Sequence, residues 1–187
     1  MKVYDLILKR RTIRKFKDKK ILFSLLKKCV NAARFSASGS NLQALEYVVV
    51  NDDKILDEVY SCLGWAGYTP EFDNTKQKPK AYVIILVNKN IRENADKDVG
   101  IAAENILLTA LEKGIASCIV GSINREKLRK ILKIPNSREI SLVIALGYAA
   151  EKSKAVDFKN NVEYYYEGKE LRVPKRKLKN ILHINKF

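Results

Sequence analysis

Histidine is nearly missing: His183 is the only one in 187 residues. A histidine-based triad would have to use that single residue, close to the end of the sequence, which suits the geometry of a triad poorly. Cysteine is scarce as well. Cys29, Cys62 and Cys118 are an odd, widely spaced set without a CxxC pair. A zinc site of Cys and His ligands is therefore not expected, nor any other metal, and the thiols read as small buried apolar groups. No GxxxxGK[ST] loop occurs, so triphosphate hydrolysis has no support, and no GxGxxG follows a strand, so a Rossmann dinucleotide site has none either. The longest apolar runs, such as Tyr82 to Val87, are too short to span a bilayer. The opening Met1-Lys2-Val3-Tyr4-Asp5 has no signal-peptide character. A cytoplasmic protein without a membrane partner is expected.

Positive charge, by contrast, is abundant: the formal net charge is +15. Such a balance suits nucleic acid. No helix, however, shows a continuous basic face with interleaved aromatics, and no zinc-finger or RNA-recognition signature occurs. The charge is read as a lysine-rich solvated surface with a part devoted to a small anionic ligand. No nucleic-acid partner is expected.

Apolar spacing organises the chain. Val3 to Lys9 reads as a short helix. Ile21 to Phe35 reads as a stronger one, with Leu22, Leu25, Leu26, Cys29, Val30 and Ala33 on one face. Tyr47 to Val50 is a strand, and Asp53 to Cys62 a helix capped by Asn51, Asp52 or Asp53. Gly64 to Lys80 is a long loop with Trp65, Tyr68 and Phe72, and loops of that length are often functional. Ala81 to Val87 is a buried strand. Asp96 to Lys113 is the clearest helix, stopped by Gly114. Ile115 to Val120 is a strand, Asn124 caps a short helix ended by Pro135, and Ile140 to Leu146 is a further buried strand. One connection looks like β-α-β. The reading is a mixed α and β layered domain, with a central sheet covered by helices. Residues 1–150 form the ligand-binding domain. Residues 151–187 are charged, tyrosine-bearing and poor in apolar periodicity, an arm without a core of its own. That arm is either disordered or wrapped around a partner subunit, and Leu178 to Leu182 carries apolar positions suited to docking.

Three segments carry chemistry. In Arg10-Arg11-Thr12-Ile13-Arg14-Lys15-Phe16, an extended backbone would put Arg10, Thr12 and Arg14 on one side, with Arg10 and Thr12 suited to a phosphate. The same segment also reads as a strand edge guarded by charge. In Ser38-Gly39-Ser40-Asn41-Leu42-Gln43, glycine permits unusual backbone and the amides of Asn41 and Gln43 can pair with a ring that donates and accepts. The alternative is an ordinary turn whose side chains bond nearby backbone. In Ser117-Cys118-Ile119-Val120-Gly121, Gly121 follows a strand and could present its N–H without obstruction, although most such glycines serve geometry alone. Lys175 and Arg176 could complete a phosphate site with Arg10, or remain a solvated tail. A phosphorylated flavin fits these demands together.

In this order the segments resemble the nitroreductase family of FMN-dependent oxidoreductases. The similar parts are residues 10–16, the 38–43 turn, the helix from Asp98 to Gly114 running into Ile115 to Gly121, Ala145-Leu146-Gly147-Tyr148, Pro174-Lys175-Arg176 and the ending His183 to Phe187. The resemblance implies an α+β fold, a central mostly antiparallel sheet flanked by helices, and an intertwined homodimer whose C-terminal arms embrace the opposite subunit. It also implies FMN at the interface, reduced by NADH or NADPH and reoxidised by a nitroaromatic, quinone or similar small acceptor in a ping-pong cycle. Carried over, Arg10 and Thr12 would help bind the phosphate and Lys175 or Arg176 would close on it, with Arg11 a further cofactor-binding residue. Arg14 would lie at the pyrimidine edge, and Ser38, Gly39, Ser40, Asn41 and Gln43 would come from the turn of the other subunit. Val120 and Gly121 would approach the flavin N5, so Arg14 and Gly121 are the catalytic candidates. Trp65 or Tyr68 could roof a substrate pocket, or simply pack the loop. Two departures leave the substrate open: Ala44-Leu45 stands where the family often has Pro-Trp, and Ala37 where a proline often precedes the serine. Rival expectations are other flavin chemistry on the same fold, such as reductive dehalogenation or flavin fragmentation, and a non-enzymatic polyanion-binding module.

Overall fold

An eight-residue strand with every residue buried, Ala81–Asn88, forms the centre of the molecule. The computed structural model describes residues 2–65, 67–69 and 73–187. Ala66 and residues 70–72, within the long loop expected from the sequence, lie outside the described residues. The strands of the main sheet are β1 (Leu45–Val50), β2 (Ala81–Asn88), β3 (Ala116–Val120) and β4 (Arg138–Gly147), in spatial order β1-β2-β4-β3 with every pairing antiparallel. The helices are α1 (Val3–Lys9), α2 (Phe23–Arg34), α3 (Asp53–Tyr60), α4 (Asp96–Glu112) and α5 (Arg125–Leu132).

The pleat of β2 explains the layers. Successive side chains alternate between faces. Ala81, Val83, Ile85 and Val87 pack with Leu26, Cys29 and Ala33 of α2 and with the Val99, Ala102, Ala103, Ile106 and Ala110 stripe of α4. Tyr82, Ile84 and Leu86 pack on the other side with Leu56 and Val59 of α3 and Leu128 of α5. The sheet is thus covered on both faces, and a strand covered twice reads as one uninterrupted apolar run. The anticipated β-α-β unit exists in split form: β2, α4 and β3 follow in sequence, but β4 lies between the two strands.

Local signals place most boundaries. Asp52 accepts from the Lys54 N–H at the start of α3, and Asn124 accepts from the Lys127 N–H at the start of α5. Gly114, at φ 73°, takes the left-handed turn that ends α4. The helix α5 ends through Lys133, itself left-handed at φ 52°, two residues before the expected stop at Pro135. Two expected strands extend further than their β-branched cores, because β1 begins at Leu45 and β4 at Arg138.

The tail is more ordered than its composition implied. Three strands, β5 (Lys152–Asp157), β6 (Tyr165–Glu167) and β7 (Glu170–Lys175), make a small sheet in the order β5-β7-β6. β5 pairs with β7 in parallel and β6 pairs with β7 across a turn containing Gly168 at φ 60°. Only Leu171 of this sheet is buried. Beyond it, Leu178, Ile181, Leu182, Ile184 and Phe187 are exposed apolar residues. No helix among the described residues is long and apolar enough to cross a membrane.

Candidate active site

The basic segment is extended, as its side-by-side reading required. Thr12 makes a parallel bridge with Ser117 of β3, and the Ile13 N–H donates to the Ser117 carbonyl at 3.0 Å. Two residues past Arg14 the chain changes partner, and Phe16 bridges Ala149 in antiparallel fashion. Phe16 is 1% exposed and presses on Gly147, where an added Cβ would fall 2.5–2.8 Å from its ring and Cβ. Glycine is therefore required at 147 for clearance, and that contact holds the basic segment against the sheet edge.

The four basic residues of the segment go to different tasks. Arg11 donates to the carbonyls of Leu8 and Arg10, so its charge sits at the C-terminus of α1, where cations are favoured. Burial, and then the neighbouring Arg10 charge, lower its pKa. Arg11, expected among the cofactor ligands, closes the end of α1 within this chain. Arg10 reaches Glu104 of α4 at 3.3 Å. Lys15 lies over the Tyr166 ring. Arg14 lies with its guanidinium carbon 4.8 Å from the Tyr164 ring centroid, a cation–π contact.

Arg14 also lines a small cavity of about 80 Å³ together with Trp65, Cys118, Val120, Gly121 and Ser122. Arg14, Trp65, Val120 and Gly121 were singled out in the sequence for separate reasons, and the fold brings them to one place. An added Cβ at Gly121 would meet nothing within 4 Å. The protein's own packing does not demand glycine there. Trp65 stacks on Tyr60 with centroids 5.6 Å apart, and its indole Nε1 is buried without a partner among the described residues. Tyr68 meets Tyr164 edge-on at 5.1 Å and lines a different cleft, so it is not brought to this cavity with Trp65. Burial pushes the Cys118 thiol up to about 11, with nearby Arg14 opposing. That thiol is protonated at neutral pH and unsuited to nucleophilic work.

The 38–43 turn differs from its expected form. It is a short 3₁₀ turn, and Asn41 and Gln43 do not open a strand. Ser40, Asn41 and Gln43 all have positive φ, at 52°, 53° and 51°. Gly39, expected to supply the unusual backbone, supplies room instead: an added Cβ would lie 2.3 Å from Arg92 Nη1. Its N–H donates to the buried Asp98 carboxylate, which also pairs with Arg92 at 3.2 Å. Ser38 Oγ accepts from the Gln43 N–H at 3.2 Å. The turn is thus anchored to the first turn of α4. Lys175 and Arg176 are exposed at the end of β7, and Arg176 donates to the Asn180 carbonyl. No hydrogen bond or ion pair among the described residues joins either of them to Arg10.

A roomier cleft, about 630 Å³, lies beside the small sheet, with Tyr68, Tyr164, Tyr165 and Arg172 in its wall. Arg172 is already paired with Glu167 and Glu170. The smaller cavity is the better candidate, because a charged group, an indole and an open glycine converge there.

The model of the nitroreductase family matches residues 7–148. The chain belongs to the nitroreductase family. Among its relatives, an Archaeoglobus fulgidus protein provisionally named NADH dehydrogenase/NAD(P)H nitroreductase is 27% identical over 155 residues, covering 79% of this chain and 85% of the relative. A Staphylococcus aureus NADPH-dependent oxidoreductase is 28% identical over 158 residues, and the match spans 72% of this chain and 59% of that protein. An FMN-dependent nitroreductase from Clostridium difficile superposes with a TM-score of 0.74 at 24% identity, covering 97% of this chain and 98% of that structure. A Bacteroides thetaiotaomicron structure with the same provisional name as the archaeal relative gives 0.76 at 23% identity, covering 99% and 98%. At these identities the nitroreductase structures speak for the fold, the antiparallel sheet flanked by helices.

Several residues at the site gave no signal in the sequence. Glu151 and Asn74 contact the Arg14 backbone across 137 and 60 positions. Arg92 and Asp98 hold the turn across comparable distances. The one available clue was that Asn74 lies in the loop marked out by its length.

Proposed function

We propose that this nitroreductase-family protein is an FMN-dependent oxidoreductase that passes electrons from NADH or NADPH to a small acceptor, such as a nitroaromatic or a quinone. The observation that carries the reading is the convergence of Arg14, Trp65 and Gly121 on one cavity in a chain of this family. The residues suit FMN on two grounds. The space beside Gly121 is open, and the Arg14 and Trp65 side chains share the cavity wall with it. A flat ring with polar edges meets both conditions.

FMN, when bound, supplies the two-electron redox chemistry. Arg10 and Thr12 would hold its phosphate, with Lys175 or Arg176 closing over it. Arg14 would face the pyrimidine edge, and a fixed guanidinium there favours accumulation of negative charge. Gly121 leaves the approach to the ring unobstructed. Trp65 and Tyr68 would limit water and shape the place where donor and acceptor lie in turn, which gives ping-pong kinetics.

A cavity of about 80 Å³ is small beside the roughly 300–1,000 Å³ of ordinary ligand sites. The missing wall would come from a second copy of the chain, whose 38–43 turn would bring Ser38, Ser40, Asn41 and Gln43 to the ring. The exposed apolar positions of residues 178–187 support an arm that docks on that partner.

An absorbance spectrum of the purified protein tests the reading. A yellow protein that bleaches anaerobically with NADH or NADPH, and recovers with a nitroarene or quinone, is expected. Arg14→Ala should slow reduction by on the order of tenfold to a thousandfold while leaving the fold intact. A protein that stays colourless in excess FMN would overturn it.

A further inference from the structure

Arg14 occupies an unusual place in the backbone. It lies between two bridges, Thr12 with Ser117 and Phe16 with Ala149, where the segment leaves one strand partner and joins another. A residue at such a switch has no ladder partner for its own N–H and C=O, and buried peptide groups need one. Here side chains supply both. Glu151 Oε1 accepts from the Arg14 N–H, and from the Lys15 N–H at 3.1 Å. Asn74 Nδ2 donates to the Arg14 carbonyl at 3.0 Å. Each of these side chains is held in turn. Tyr166 donates its hydroxyl to Glu151 Oε2 at 2.9 Å, and Tyr60 donates to Asn74 Oδ1. Asn74 is 3% exposed, and Tyr60 is the ring on which Trp65 stacks.

We propose that Glu151 is a positioning residue for the flavin site, fixing through the Arg14 backbone where the Arg14 guanidinium stands. The proposal rests on the flavin reading given above. Two features favour a positioning role over mere structural support. The carboxylate reaches the peptide of the one basic residue that lines the cavity. Its second oxygen is held by a phenol, and among the described residues the carboxylate makes no ion pair. Two N–H bonds to a charged acceptor are stronger than two to a neutral one. Burial, and the charge and hydrogen bond of Glu151, push the Tyr166 hydroxyl up to about 12, so it remains a donor at physiological pH.

The test compares the full-length wild type with Glu151→Ala, Glu151→Gln, Arg14→Ala and the Glu151→Ala/Arg14→Ala double variant. Amide hydrogen exchange is read on FMN-free protein. FMN dissociation constants and the flavin midpoint potential are read on reconstituted protein. Glu151→Ala should remove protection from the peptide bearing Arg14 and Lys15 while sparing β2, and should weaken FMN by about tenfold, the scale of one charge-assisted hydrogen bond. It should move the midpoint potential in the same direction as Arg14→Ala, and should add nothing once Arg14 is already alanine. Glu151→Gln keeps an acceptor oxygen and should restore most of the affinity. Unchanged protection at Arg14, or losses that multiply in the double variant, would overturn the proposal. Should Glu151→Ala lose protection in β2 as well, Tyr166→Phe frees only the outer oxygen and should give an intermediate loss at Arg14; full protection there counts against the role. A wild type that binds no FMN defeats the functional reading, whereas the exchange pattern still decides whether Glu151 holds Arg14.

Discussion

The two sheets are built on different principles. The main sheet is sealed on both faces, and its central strand has no exposed residue. The small C-terminal sheet buries Leu171 and little else; the surface ion pair of Arg172 with Glu167 links β7 to β6, and that with Glu170 lies within β7. Surface pairs contribute little, so the second sheet draws its stability from attachment to the first and, under the proposed assembly, from a partner. Burial makes the frame. The parts that meet a ligand are joined to the frame by the Phe16–Gly147 contact and by polar side chains such as Glu151 and Asn74.

The contrast can be tested in steps. The largest effect is expected inside the main sheet: Ile85→Ala should cost roughly 2–5 kcal/mol in denaturant unfolding, because both the buried side chain and its packing are lost. Gly147→Ala should cost about 1–3 kcal/mol, since the new methyl meets Phe16, which has nowhere to move; the same variant should loosen residues 10–16 in hydrogen exchange. Removing residues 178–187 should leave the melting of the main sheet nearly unchanged but shift the protein toward monomer in sedimentation. A truncated chain that stays dimeric would break the proposed division of labour.

The smallest effect concerns pH. Glu46 of β1 is held by Arg138 at 3.0 Å and by Asn88 at 2.9 Å. The Arg138 hydrogen bond lowers its pKa, with partial burial opposing and Asn88 assisting. A carboxyl with a folded pKa below its unfolded one adds stability above the unfolded value and loses it as pH falls through the folded value. Being largely solvated, the pair should be worth less than about 1 kcal/mol. Glu46→Gln should therefore cost little at neutral pH, and the difference from wild type should vanish below the ordinary carboxylate range in a pH series of urea melts.

The frame was legible because burial writes periodicity into sequence. The continuous apolar run at residues 81–87 and the α4 stripe needed no further information, and α1 spans the expected Val3–Lys9. The small sheet was not legible. Lys152-Ser153-Lys154-Ala155-Val156 has no apolar alternation, because so little of that sheet is covered. The turn misled in an instructive way. Glycine was expected to carry the left-handed backbone, yet Ser40, Asn41 and Gln43 carry it, and Gly39 makes room for Arg92 beside Asp98. The basic segment was legible as a charged strand, whereas the division of its charges among α1, α4 and the cavity depended on contacts with no local trace.

The bridge switch at Arg14 has a consequence for the order of assembly during synthesis. By Gly147 the emerging polypeptide contains every strand of the main sheet, but not the carboxylate four positions later that seats Arg14. A nascent chain halted just short of that point could fold its frame and still lack a fixed guanidinium. Cofactor capture would then belong to the last moments of maturation, and a chain ending there would be a well-folded shell with a poorly defined mouth.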